Sequence, residues 1–375
     1  MNKEVIVLGN AKSIWLKEYV KNIHYKLGNK TYLISYSPLS DGEKQDYEKY
    51  NTVIIELQFE GEGNSKIKKM FRIIKAFKHL KGKIDALDIQ SPPHSPQAVL
   101  LGFLIRYLDA KTITSFWGSD IMRITEKDAK KLRSVIDVTD VINLGTIQLK
   151  NAFYNMFGHK YDMKIKSAIY GSPAIEHIKH NKSIPKSMLK QFFNIDSSKI
   201  TVAIGHNGNR SQQHLQVLNT LNNLEDECKN RMNLILHIGY GLESGYKDEL
   251  ERCCNNLDID YTIIDKFMDL EEISKLRLAT DVLIHAQTTD ALSGTIRESI
   301  YAETILINPC WINYAEFDSL GIEYERYSSI DEIAQIIERI VNDGTEIDLN
   351  KNSRIIDEHY SWYASLEDWT EIIDG

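Results

Sequence analysis

Short apolar runs rich in β-branched residues recur along the first half of the chain, and longer stretches of helical periodicity lie between most of them. The runs are VIVLG (5–9), TYLIS (31–35), TVIIEL (52–57), DALDI (85–89), TITSFW (112–117) and DVINLG (140–145). Strands alternating with helices in this way predict a parallel, doubly wound sheet, so the first unit reads as Rossmann-like. Asn, Ser and Pro in HNKSIPKSM (180–188) interrupt the periodicity. The pattern then restarts with TVAIG (201–205), NLILHIG (233–239), DYTII (260–264), DVLIHA (281–286) and TILIN (304–308), which predicts a second α/β unit of the same type. The expected bounds are 1–185 and 186–355. Ligands of such sheets bind outside the strand carboxyl ends, so two units are expected to hold theirs in a cleft between them.

Composition narrows the class without changing this picture. The chain has 375 residues, 42% apolar and 26% charged, which suits a two-domain globular protein and excludes a disordered, collagenous or disulfide-stapled one. No apolar run approaches the roughly 20 residues that span a bilayer, and MNKEVIVLGNA does not read as a signal peptide, so a cytoplasmic location is expected. Cys228, Cys253, Cys254 and Cys310 include no Cys-x-x-Cys and are expected to be reduced and structural.

Charge divides the chain more sharply than composition does. Residues 1–185 carry a net +10 and the remainder a net −18. Much of the excess is local. From Lys66 to Lys83 the sequence KIKKMFRIIKAFKHLKGK holds eight basic residues and no acid. At helical spacing Ile67, Met70, Phe71, Ile74, Phe77 and Leu80 fall on one face, with Lys68, Lys69, Lys75 and Lys78 mostly elsewhere. Such a helix can rest on an anionic membrane surface, or it can be a core helix with a solvated basic face. Nucleic acid is not expected, because base-stacking motifs are absent and the whole chain is acidic.

Candidate chemistry gathers in the second unit. After the strand at Thr201 comes GHNGNRSQQH (205–214), where small residues around Gly208 and Asn209 can let backbone N–H groups approach a phosphate and Arg210 can add a bidentate clamp. The same stretch also reads as a plain Asn-Gly turn before a helix. A second loop, TTDALSGTIRES (288–299), follows DVLIHA. There Ser293, Gly294 and Thr295 are placed to cap a helix whose N–H groups can meet a diphosphate, with Asp290 before the turn facing a sugar and Glu298 one turn further in, in reach of a ribose.

These segments resemble a known family. Asp290-x7-Glu298 followed by SIYAETILINP (299–309) resembles the Glu-x7-Glu region of group 1 (family 4) retaining glycosyltransferases. FWGSDI (116–121) looks like their acceptor-side loop, GHNGNR sits where they carry a phosphate loop, and HYSWYASLEDWTEII (359–373) resembles their closing helix. A more distant similarity is to the fucosamine transferases of enterobacterial common antigen. Three departures stand out: Asp290 in place of the first Glu, no spaced Lys in the phosphate loop, and Glu303 where Gly is usual.

The resemblance implies a GT-B glycosyltransferase of cytoplasmic location, peripheral on the membrane if the basic helix binds there. It implies a UDP- or GDP-type nucleotide sugar in the second unit, a glycan acceptor in the first, no cofactor or metal, and residues 356–375 returning to the first domain. It also implies transfer with retention, to a lipid-linked acceptor in bacterial surface polysaccharide or lipopolysaccharide synthesis. Tyr240, Phe267 and Met268 become candidate donor contacts, with core packing as the alternative. Asp120, after Gly118 and Ser119, becomes a candidate for orienting or deprotonating the acceptor, with a helix cap as the alternative. Gly9, Asn10 and the loop histidine His94 complete the acceptor-side candidates. Asp290 and Glu298 are the other catalytic candidates. Two further classes share such an architecture, a sugar-nucleotide epimerase and a non-catalytic nucleotide or sugar binder. The only Asp-x-Asp considered, Asp258 to Asp260, reads as a loop entering a strand.

Overall fold

The structure is a computed structural model that describes residues 2–63, 65–93 and 96–375. Two compact units result: Met1–Gly171 together with Trp362–Gly375, and Ser172–Ser361.

The first unit is built on seven parallel strands: β1 (Glu4–Gly9), β2 (Lys30–Ser35), β3 (Thr52–Glu56), β4 (Ala86–Gln90), β5 (Lys111–Ser115), β6 (Val141–Asn143) and β7 (Ile165–Lys166). Their order is β3-β2-β1-β4-β5-β6-β7, with the reversal between β1 and β4. Val5, Val7, Leu33, Ala86 and Ile113 are fully or almost fully buried, as expected where helices cover both faces of a parallel sheet. The helix Trp362–Asp374 completes one of these cores. Trp369 is wholly buried, donates its Nε1–H to the Ile169 carbonyl at 3.0 Å and lies edge-on to Tyr19 at 4.7 Å. A Cβ at Gly171 would lie 2.5 Å from Trp362, so this turn admits only glycine.

The second unit repeats the design with β8 (Ile200–Ile204), β9 (Met232–His237), β10 (Asp260–Ile264), β11 (Val282–Ile284), β12 (Ile305–Pro309) and β13 (Glu325–Tyr327), ordered β10-β9-β8-β11-β12-β13. All its pairings are parallel, and the order reverses between β8 and β11.

Both unit boundaries differ from the sequence expectation. The helix Ile175–Asn181 belongs to the second unit, because it packs on the helix Leu270–Ala279, where Asn181 Nδ2 donates to Ser274 Oγ at 2.7 Å. The helix Leu349–Tyr360 stays there too, held by Ser353 Oγ donating to the Tyr301 carbonyl at 2.8 Å.

The basic helix Lys66–Leu80 also departs from the single apolar face read from the sequence. Ile73, Ala76, Phe77 and Leu80 are buried, whereas Ile67, Met70, Phe71 and Ile74 are exposed. The sequence carries two apolar stripes, and the one formed by Ile73, Phe77 and Leu80 packs inward. Cys228 and Cys254 are buried, Cys253 is half-buried and Cys310 is exposed; all four are unpaired.

Candidate functional site

At the strand-order reversal of the second sheet, the loop after β8 and the loop after β11 are tied together. Gly205 N–H donates to the Ile284 carbonyl at 3.0 Å, Thr288 N–H to the Ser211 carbonyl at 3.0 Å, and Gln212 Nε2 to Gln287 Oε1 at 2.8 Å. Gly205 has φ +64 and so takes a left-handed conformation; a Cβ there would meet His214 and Gln212. The two loops singled out in the sequence are therefore neighbours at the place where open α/β sheets bind ligands.

Several buried polar atoms on these loops have no partner: His206 Nδ1, Ser211 Oγ, Gln212 Oε1, His285 Nε2 and Ser293 Oγ. Native interiors pair nearly all such atoms with protein or water, so a group of them marks a place for polar ligand atoms or ordered water. Beside them the helix Gly294–Tyr301 begins without a side-chain cap. The N–H groups of Gly294, Thr295 and Ile296 meet no backbone or side-chain acceptor among the described residues, which leaves the positive end of that helix free for an anion.

A cation bonded to the first turn of this helix is one the sequence reading missed. Arg277 is buried, donates from Nη2 to Thr295 Oγ1 at 3.0 Å and pairs through Nε with Glu298 Oε2 at 3.3 Å. Burial pulls its pKa below the ordinary arginine value, opposed by Glu298. Arg277 sits near the end of a helix, where a basic residue ordinarily needs no special explanation, so nothing in its sequence context marks it.

The predicted residues separate into groups. Asp290 accepts from Ser293 N–H at 2.8 Å and from the Tyr314 hydroxyl at 2.6 Å, so its carboxylate shapes the turn before the helix. Glu298 is buried, and its two oxygens are taken by Ser172 Oγ and Arg277, which makes it a structural anchor in this state. Arg210 is exposed, bound to Glu243 and bidentately to Glu249, with its guanidinium 4.3 Å from the Tyr246 ring centre. It must leave both carboxylates before it can clamp a phosphate. The Gly208 N–H is likewise committed, donating to the Tyr240 carbonyl at 2.7 Å, and Asn209 bonds back to Asn207. Gly208 serves close packing instead, since a Cβ there would lie 2.8 Å from Leu242 Cα. Of the three aromatic or apolar donor candidates, Tyr240 and Phe267 are 70% and 74% exposed after β9 and β10, while Met268 is buried and packs.

Loss of solvation holds His206, His214 and His237 neutral. His206 is pulled well below its ordinary pKa by burial first, then by His285, Arg277, His237 and His214. Burial lowers His237 and His214 to about 4. His285 Nδ1 lies 2.8 Å from Asn308 Oδ1, which orients its unpartnered Nε2.

The residues named as acceptor-side candidates in the first unit lie around the carboxyl ends of its own strands. Gly9 closes β1 where a Cβ would crowd Leu16 at 3.0 Å and Gln90 at 3.2 Å, and Asn10 starts the following turn by accepting from Lys12 N–H. Gly118 has φ +145, Ser119 is exposed, and Asp120 is buried, both its oxygens accepting the Trp117 N–H at 3.0 Å and one also the Gly118 N–H at 2.8 Å. Asp120 is the second residue of the helix Ser119–Met122, whose N-cap is Gly118 and carries no side-chain cap bond, so its carboxylate folds back onto the preceding N–H groups and does not act as the N-cap read from the sequence. Behind this loop a buried chain runs from Trp117 Nε1 to Gln90 and on to Asp88, which also accepts from the Tyr19 hydroxyl at 2.7 Å. His94 lies outside the described residues. Asp258 and Asp260 stand at the start of β10, where Lys199 pairs with Asp260, at the opposite end of the strand from the loops that follow the strand carboxyl ends.

No protein-family profile matches the chain, and no curated protein matches it in sequence. Solved structures do match in fold. A glycosyltransferase from Rickettsia africae superposes with a TM-score of 0.79 at 14% identity, covering 100% of this chain and 98% of that one. Anabaena HepE, solved in complex with UDP and glucose, gives 0.74 at 12% identity over 100% of both chains. The sucrose-phosphate synthase of Thermosynechococcus elongatus gives 0.74 at 11% identity, over 100% of this chain and 98% of that one. The fold is therefore that of the GT-B glycosyltransferases.

Proposed function

We propose that this protein is a glycosyltransferase that takes a nucleotide-diphosphate sugar, of UDP type, at the carboxyl end of its second sheet and transfers the sugar to a glycan acceptor taken by its first unit. The observation that carries the reading is the uncapped start of the Gly294–Tyr301 helix set beside unpartnered buried polar atoms and Arg277. Peptide N–H groups, a helix dipole and a guanidinium are the groups that stabilise charge gathering on a departing diphosphate. The UDP-type donor is supported by HepE, which shares the fold and was solved with UDP-glucose. The finer reading is transfer with retention, without a metal, to a lipid-linked acceptor of a bacterial surface polysaccharide. Arg210 and Asp120 enter this reading as groups that change partners when substrate binds. Exposed Tyr240 and Phe267 are the surfaces for the base.

A thermal-shift panel of UDP- and GDP-sugars tests the donor. A ligand at a hundred times its Kd adds about 2.7 kcal/mol to folding stability, so a UDP-sugar is expected to raise Tm measurably. Ser293→Ala is expected to leave the ligand-free Tm unchanged, because Ser293 Oγ has no partner to lose, yet to weaken the UDP-sugar shift severalfold. A panel in which no nucleotide sugar moves Tm would remove the donor site. Product analysis then separates transfer to an acceptor from free epimerised nucleotide sugar.

A further inference from the structure

The helices Lys66–Leu80 and Pro96–Leu108 of the first unit border a groove of about 430 Å³, lined by Tyr36, Leu57, Ile67, Met70, Leu101 and Leu104 among others, with Lys66 and Lys69 also part of its wall. Tyr36 and Leu57 directly follow β2 and β3, so the groove lies at the carboxyl edge of the first sheet. Apolar side chains stand exposed on both bordering helices. Ile67 and Phe71 are 65% and 64% exposed on one, with Ile74 a turn further, and Phe103 is 63% exposed on the other, flanked by Val99 and Tyr107. Spacings of three and four residues align each set as a stripe.

Neither helix contains an acidic residue. Lys68, Lys75 and Lys78 are exposed among the apolar positions of the first helix, and Lys81, just past its end, lies 4.0 Å from the Tyr107 ring centre on the second. An apolar surface studded with lysine is unlike the core of a protein–protein interface, from which lysine is depleted. It matches a bilayer surface, where apolar side chains enter the acyl region while lysine stems lie along it and their ammonium groups stay with anionic headgroups.

We infer that this face docks on an anionic membrane leaflet and that the groove between the two helices receives one hydrocarbon chain of an anionic phospholipid. Ile67, Phe71, Ile74 and Phe103 enter beside that chain, and Lys66 and Lys69 hold the headgroup at the groove mouth. The membrane contact thus involves a second helix and a preformed slot, beyond the basic segment from Lys66 to Lys83.

Flotation of the full chain with vesicles tests this. Binding is expected to phosphatidylcholine vesicles containing phosphatidylglycerol and not to phosphatidylcholine alone. The combined change of Lys68, Lys69, Lys75 and Lys78 to Gln is expected to lower partitioning roughly a hundredfold or more. Phe71→Ser with Phe103→Ser, both at exposed positions, is expected to lower it about tenfold or more at unchanged Tm. Phosphatidylglycerol with a photoactivatable acyl chain is expected to crosslink to Tyr36, Met70 or Leu104. Absence of binding to anionic vesicles overturns the proposal. So does binding that ignores the phenylalanine changes, or crosslinking that avoids the groove, since either describes a purely electrostatic contact. A protein partner captured at this face with no vesicle binding overturns it as well. None of these measurements requires a nucleotide sugar, so their failure leaves the donor reading standing.

Discussion

His214 is buried and His237 half-buried, and loss of solvation lowers both to about 4 and His206 well below its ordinary value, so all three are neutral at pH 7 in the folded chain, whereas the unfolded chain titrates them near 6.5. As pH falls below 6.5 the unfolded state takes up protons that the folded state refuses, and stability declines until the folded groups titrate near 4. The loss expected is on the order of 3 kcal/mol each for His237 and His214. Thermal melts between pH 7 and pH 4 should show it, and His237→Asn should flatten the slope. These residues also mark the limit of what the sequence told about the site. The two loops were legible because Gly, Asn and Ser cluster after strands. The partners of Arg210 were not, since Glu243 and Glu249 lie on other elements and only the fold brings them to it. Arg277 was hidden for the converse reason, because a single arginine on a helix acquires meaning only when Thr295 and Glu298 are packed against it.

Strands were readable where their residues formed an apolar run. The eleven runs that the alternation predicts all became strands, including the three-residue β6 and β11, whereas β7 (Ile165–Lys166) and β13 (Glu325–Tyr327) carry charged residues and lie in no apolar run. The Lys66–Leu80 helix was recognised, but its orientation was not, because two apolar stripes compete and periodicity does not say which one faces the core. Close crossings were also invisible in the sequence. On the helix Pro96–Leu108, a Cβ at Gly102 would lie 2.3 Å from the Ser134 carbonyl oxygen of the helix Glu126–Ile136. Gly102→Ala is therefore expected to push these helices apart and to destabilise the first unit by about 1–3 kcal/mol, measurable by urea denaturation. An unchanged midpoint would mean that the crossing is looser than the structure has it.

For the whole molecule, alternation predicted two doubly wound units and the fold has them. The boundaries moved because tertiary packing, and not local composition, decides which unit a linking helix joins. The helix Trp362–Asp374 shows the consequence for stability. Trp369 is packed against Tyr19 and Tyr170, and Lys3 Nζ donates to the Ile373 carbonyl at 2.8 Å. Trp369→Ala is expected to cost about 3–5 kcal/mol, and calorimetry should place the loss in the transition of the first unit while leaving that of the second in place.

That arrangement also imposes an order on biosynthesis. At about 5–20 residues per second, roughly 10–40 seconds pass on the ribosome between Gly171 and Trp362, and the second unit has all its strands during that time. The earlier sheet meanwhile waits with Tyr19 and its neighbours uncovered. A nascent chain of this kind needs either a chaperone at that surface or a delay in its own collapse, and a stalled ribosome would expose it to aggregation before its last helix emerged.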